Sequence, residues 1–343
     1  MRLKVITILF FVLLSGYKCH AQKPDKDAKM KYNKAVDLVN SNDFDQALHN
    51  FNLALNAYPD FNKALLERGK IYFKQHKYDI ALRDFEKVIE LSEQNGEAYF
   101  YRGYLKFKNQ ELNSALEDFT VAIQSGYKDA MVYYLRGITN YKLKDYENAV
   151  LNLTMAIDGK YNFGYAYHER AIAKIEKEDY RGAINDFNKA LKYGTEKPFV
   201  YCNMGEALLE LSDYKKAIEI FTKAIGLDPN YFKAYINRGN AKASLEKFES
   251  ALLDYKKALK IDKKNGVQAE NNIGVVYLKQ GEYNKAVESF TKVIEKNPEI
   301  GGAYLNRGVA WENQGKFSKA CIDWIKAKEL GIEEAKEYLK DCD

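Results

Sequence analysis

Residues 198–231 read PFVYCNMGEALLELSDYKKAIEIFTKAIGLDPNY. Gly205 is followed twelve residues later by Ala217, and then by Phe221 and Ala224 at intervals of four and three. Asp213 and Tyr214 stand between the two halves, and Pro229 closes the stretch. Apolar residues three and four apart mark amphipathic helices. An acid such as Asp213 suits the N-terminus of the second helix. The stretch therefore predicts a helical hairpin: two small residues let the backbones approach, and Phe221 fills the space one turn on.

The pattern continues in both directions. The alanine column is Ala47, Ala81, Ala115, Ala149, Ala183, Ala217, Ala251, Ala286 and Ala320, spaced by 34 residues except for one interval of 35. Twelve residues earlier stand Ala35, Gly69, Gly103, Gly137, Ala171, Gly205, Gly239, Gly274 and Gly308. Four residues after each alanine stands a large apolar side chain, from Phe51 through Leu153 and Tyr255 to Trp324. One hairpin cannot bury its own apolar face, so the copies must stack.

These columns resemble the tetratricopeptide repeat. Nine repeats result: 28–61, 62–95, 96–129, 130–163, 164–197, 198–231, 232–266, 267–300 and 301–334, with the glycine at position 8 and the alanine at position 20. The resemblance implies an all-α, right-handed α-solenoid (a superhelix of stacked hairpins). Residues 22–27 form a short N-terminal segment, and 335–343 restart the period as a truncated capping helix. A turn near Gly331 would bring Cys321 and Cys342 opposite each other, either as a disulfide or as two small buried thiols. Position 11, usually large and apolar, is Lys106, Asn140, Lys174 and Lys242 in four repeats.

Position 7 carries Arg68, Arg102, Arg136, Arg170, Arg238 and Arg307. In the same repeats position 23 is Asp84, Asp118, Asn152, Asp186, Asp254 and Asp323, and no aspartate occurs there without an arginine. The pattern predicts an ion pair joining the two helices of one repeat.

The chain has 343 residues, 46% of them hydrophobic, which excludes wholesale disorder. Its net charge is +5; Arg2, Lys4 and Lys18 supply three of those charges with no acid in the first 21 residues, leaving +2 from Gln22 onward. So small a charge argues against nucleic-acid binding. Arg2 and Lys4, the apolar run Val5–Leu14 and Ala21 read as a signal peptide over 1–21, removed after Ala21, with the periplasm or the exterior as destination. Lys18 before Cys19 argues against a lipid anchor, and no later segment is apolar enough to span a membrane.

No nucleotide-binding glycine loop, Gly-x-Ser-x-Gly elbow or zinc-type spacing is present, and His49, His76 and His168 lie in different repeats. The expectation is a non-enzymatic scaffold without cofactor or metal. In the family that the chain resembles, the first helix of each repeat lines a concave groove for a protein or peptide. Carried over, that face holds Phe100, Tyr104, Phe107, Tyr134, Tyr141, Tyr165 and His168, with Lys70, Lys74 and Lys108 beside them. Position 5 holds no lysine, so the family's clamp for terminal carboxylates is not expected. The alternative is a carbohydrate- or cell-wall-binding accessory protein of a bacterial envelope system, because aromatic rings also stack on sugars.

Overall fold

The computed structural model describes residues 24–160, 163–262 and 266–342. The expected signal peptide lies outside the described residues. Among those residues all regular structure is helical. Two compact units result: one contains the described residues up to Asn109 with Gln124–Gly126, and the other contains the rest.

The first unit holds α1 (Lys26–Asn40), α2 (Phe44–Ala57), α3 (Asn62–Lys74), α4 (Tyr78–Leu91) and α5 (Gly96–Lys108). Consecutive helices pack on each other throughout. Ala35, Ala47, Phe51, Ala81 and Phe85 are fully buried, and the Phe85 ring stacks on Tyr101 with centroids 5.0 Å apart.

The second unit begins with all but the last residue of α6 (Leu112–Gln124). It continues through α7 (Ala130–Lys142), α8 (Tyr146–Asp158), α9 (Phe163–Glu176), α10 (Tyr180–Lys192), α11 (Pro198–Glu210) and α12 (Tyr214–Leu227). It ends with α13 (Phe232–Ser244), α14 (Phe248–Ile261), α15 (Val267–Lys279), α16 (Tyr283–Lys296), α17 (Gly301–Glu312), α18 (Phe317–Glu329) and α19 (Ala335–Tyr338). From α7 onward each helix packs on the next, and the first helices α9, α11, α13, α15 and α17 also touch in succession.

The small-residue columns mark where two helices meet most closely. A Cβ built at Gly205 would lie 2.5 Å from the Phe221 ring; at Gly239 it would lie 2.5 Å from Tyr255, and at Gly308 2.4 Å from Trp324. The acids that open the second helices cap them. Asp43, Asp145, Asp179 and Asp213 accept from the backbone N–H three residues on, at 3.1, 3.2, 3.0 and 3.3 Å.

The turn before each second helix needs one residue in the left-handed region, and glycine fills it only at Gly281 and Gly315. Elsewhere Asn42, His76, Gln110, Lys144, Glu178, Ser212 and Glu246 adopt φ of 56–66°. A Cβ in that region costs about 1–2 kcal/mol, part of which glycine returns through unfolded-chain entropy. Exposed Glu246→Gly is therefore expected to raise stability by roughly 0.5–1 kcal/mol in urea unfolding.

The arginines bind the stack. Arg68, Arg170, Arg238 and Arg307 each donate from Nε and Nη2 to Asp84, Asp186, Asp254 and Asp323, over 2.7–2.9 Å. Their Nη1 groups reach back to the preceding repeat, to Asn52, Thr154, Thr222 and Thr291 at 2.8–3.1 Å. One guanidinium thus ties three helices. The lysines at position 11 belong to the same device: Lys174 lies 2.8 Å from Asp186, and Lys242 2.7 Å from Asp254. Where position 23 is Asn152, position 11 is Asn140, and the two amides bond at 3.2 Å.

The C-terminal cap is shorter than the sequence suggests. α19 has four residues and passes into a 3-10 turn over Leu339–Asp341. Tyr338 stacks on the buried Trp324, centroids 5.0 Å apart. Cys321 of α18 is bonded to Cys342, across a separation of 21 residues. A loop of that size corresponds to about 3 kcal/mol of chain entropy.

Candidate partner-binding surface

In the first unit, three lysines proposed for the groove are engaged by their own neighbours. Lys70 on α3 lies 3.0 Å from both Glu67 and Glu97, so it clasps α3 to α5. Burial opposes its charge, but the hydrogen bonds and charges of the two glutamates outweigh burial and raise its pKa above the usual lysine value. Lys74 lies over the Phe44 ring at 5.6 Å, and Lys108 over Tyr78 at 4.0 Å. Tyr104 packs edge-on against Phe73, centroids 5.0 Å apart, and Phe107 is half-buried. Phe100 does not face a groove: it is 3% exposed and packs against Tyr101. Its position on the first helix points at the neighbouring helices, and an apolar ring there is core.

In the second unit, Tyr165 is 38% exposed. Tyr134 is half-buried against the core around Ile157 and Ala166. Tyr141 leans on Tyr146 at 5.7 Å; burial, with Glu176, Tyr146 and Glu169 nearby, raises its phenol pKa. His168, like Phe100, is buried rather than presented, at 7% exposure. Its ring lies 4.9 Å from Phe199 and 5.7 Å from Phe187. The Asn203 amide meets Nε2 at 3.2 Å, and Glu169 meets Nδ1 at 3.2 Å. An amide donating to Nε2 places the ring proton on Nδ1, facing the Glu169 carboxylate.

Asn203 belongs to a row that the aromatic reading of the sequence passed over. Asn237 Nδ2 donates to Glu206 Oε1 at 2.7 Å, and Asn272 Nδ2 donates to Asn240 Oδ1 at 2.8 Å. The row joins α9, α11, α13 and α15, first helix to first helix. Asn203, Asn237 and Asn272 are half-buried, and each spends one amide group, leaving its Oδ1 unengaged among the described residues. The signal for it is present in the sequence: position 6 is asparagine in four consecutive repeats, Asn203, Asn237, Asn272 and Asn306.

Cys202 lies under this row, fully buried, with its Sγ 3.8 Å from Glu206 Oε1. Burial, reinforced by the Glu206 charge, pushes the thiol up to about 12. Folded residues 22–343 are therefore expected to take up no iodoacetamide at pH 8. The unfolded, unreduced chain takes one label, at Cys202, and the reduced chain takes three; mass spectrometry reads the count. Three labels without reductant would exclude the bond between Cys321 and Cys342.

Among the described residues no helix is long and apolar enough to cross a membrane. Models of the tetratricopeptide repeat match residues 63–95, 198–231, 232–265 and 267–300, and a second such model matches 32–75. The chain is 33% identical over 78 residues to the mitochondrial import receptor subunit TOM70 of Rattus norvegicus, which is 21% of this chain and 13% of the receptor. It is 28% identical over 98 residues to the photosystem I assembly protein Ycf3 of Prochlorococcus marinus, covering 24% of this chain and 55% of that protein. The chain thus spans about an eighth of the first relative's length and about half of the second's. The solved structure of Pseudomonas aeruginosa PilF shares the fold, with a TM-score of 0.52 at 18% identity over 62% of this chain and 97% of that one. A 34-residue hairpin whose position-8 glycine is roofed by a side chain from the second helix is the unit that recurs here, and the chain belongs to the tetratricopeptide-repeat family.

Proposed function

We propose that this chain is an exported, non-enzymatic scaffold that holds an extended segment of a partner protein along the first helices of its repeats. The amide row Asn203–Asn237–Asn272 carries the reading. It presents carbonyl oxygens and amide hydrogens in register with successive helices, and an extended backbone offers the complementary groups at regular intervals. Exposed Tyr165 and half-buried Tyr134 add aromatic surface on α9 and α7 of the same unit. The relatives named above act, by their names, in protein import and in complex assembly, which fits a role in holding other proteins. Export to the periplasm or the exterior is supported by the sequence of residues 1–21 and by the Cys321–Cys342 bond, which needs an oxidising compartment.

Affinity capture from the source cell's envelope fraction tests the binding. Residues 22–343 serve as bait beside an Asn237→Ala, Asn272→Ala variant with unchanged circular dichroism. A protein held by the first and reduced at least about tenfold by the second supports the reading. Equal capture by both removes the partner from the amide row, and binding to a glycan array without protein capture replaces the protein partner by a sugar. N-terminal sequencing of the native protein tests export: Gln22 as the first residue is expected, and an intact Met1 overturns it.

A further inference from the structure

Four arginines at position 7 hold a carboxylate from their own repeat, and Arg136 does not. Its position-23 partner is Asn152, to whose Oδ1 it donates from Nε at 2.7 Å. The Nη1 group, which in those four repeats reaches the preceding second helix, makes no such bond to Thr120; that hydroxyl donates to Leu116 O at 2.8 Å. Both Nη groups are thus without a hydrogen-bond partner among the described residues. They face a cavity of about 260 Å³ lined by Thr120 from α6, Arg136 and Asn140 from α7, and Asn148 and Asn152 from α8. Burial, with no carboxylate to offset it, lowers the pKa of Arg136, whereas Asp84 raises that of Arg68 despite the same burial.

One acid, Asp145, also lines the cavity. Its carboxylate is already occupied by the N-terminus of α8: it accepts from Asn148 N at 3.2 Å, from Asn148 Nδ2 at 2.8 Å and from Asn140 Nδ2 at 3.4 Å. It makes no ion pair with Arg136. The cavity therefore holds one half-buried cation, three side-chain amides, a hydroxyl and one carboxylate already committed to the start of α8. A guanidinium presents two parallel N–H groups that match a carboxylate in both geometry and charge.

We infer that this cavity is a binding site for a small carboxylate, which takes the place beside Arg136 that an aspartate side chain takes in the sibling repeats. The bound group accepts from the Arg136 Nη groups, and the amides of Asn140 and Asn148 and the Thr120 hydroxyl surround the rest of the ligand. The volume admits a compact organic acid or the side chain of an aspartate, and excludes a folded domain. The site is independent of the amide row: it lies among α6, α7 and α8, and none of its residues belongs to the proposed protein-binding face.

The experiment is a titration of the full chain from Gln22 with sodium acetate at constant ionic strength, read from arginine Nε–H resonances by NMR. Sodium chloride is the control, and N-acetyl-aspartate amide is a second ligand arm that mimics a protein side chain. Saturable movement of one arginine resonance, lost in Arg136→Gln, is expected. Asn152→Asp supplies the missing carboxylate from within, as the four sibling repeats do, and is expected to weaken acetate binding at least about tenfold while the fold is kept. Tighter binding of acetate than of N-acetyl-aspartate amide assigns the site to free acids, and the reverse order assigns it to acidic side chains. Equal binding by the natural protein and Asn152→Asp, or a linear drift of all arginine resonances alike, overturns the site.

Discussion

Asp186→Ala is expected to cost about 3–5 kcal/mol, as large an effect as any single side-chain truncation in the chain will produce. The Asp186 carboxylate is fully buried and receives two hydrogen bonds from Arg170, at 2.8 Å each, and the Lys174 ammonium at 2.8 Å. Arg170 and Lys174 are themselves mostly buried, with side chains 12% and 19% exposed. Removing the acid leaves two cations without a counter-charge between α9 and α10, and the uncompensated charge, rather than the lost attraction, sets the cost. Asp186→Asn keeps an acceptor for Arg170, as Asn152 does for Arg136, and is expected to cost about half as much. Stability in stacked repeats is local, so hydrogen exchange of the α9–α10 amides is the decisive reading beside urea unfolding. A loss below about 1 kcal/mol for Asp186→Ala would mean that the cluster contributes geometry but little energy.

Gly205→Leu should cost about 3 kcal/mol or more, because it forces apart a contact with no room to yield. The first atom of the new side chain alone would lie within 2.5–2.8 Å of three atoms of the Phe221 ring. Phe221 is fully buried among Ala217, Ala224 and Ala234, so its ring cannot move without moving α11 or α12. The helix-propensity gain from replacing glycine is at most about 1 kcal/mol and does not reverse the sign. Lys223→Ala on exposed α12 surface is the control, expected within about 0.5 kcal/mol of the natural protein. Chemical unfolding followed by circular dichroism separates the two, and equal losses would show that the small-residue column does not mark the closest approach of the helices.

Much of this was legible in the sequence because a repeated fold states its rules many times. The period, the glycine column and the pairing of position 7 with position 23 all follow from comparing one copy with another. What single copies decide was less legible. Position 5 lies on the first helix whether its side chain faces a groove or the next repeat, so Phe100 and His168 read as surface and proved to be core. The lysines at position 11 read as departures from an apolar rule, and only the fold shows that Lys174 and Lys242 serve buried aspartates. The left-handed turn residue escapes a sequence reading because Asn42, His76, Ser212 and Glu246 share no chemistry; the constraint is on the backbone and not on the side chain. The amide row was overlooked for the opposite reason: asparagine announces nothing until its neighbour 31–35 residues away is seen beside it.

The chain has two tryptophans, Trp311 and Trp324, and both lie in the last complete repeat. Trp311 is half-buried beneath Lys316 and Lys319, at 4.8 and 4.7 Å, while Trp324 is sealed under Tyr338, which the Cys321–Cys342 bond helps to hold in place. Intrinsic tryptophan emission from this protein is therefore a gauge of one end. Reductant will move that signal to an earlier denaturant midpoint while the far-ultraviolet signal, averaged over every helix, scarcely changes. The separation between the two midpoints measures how far the last repeat melts ahead of the rest.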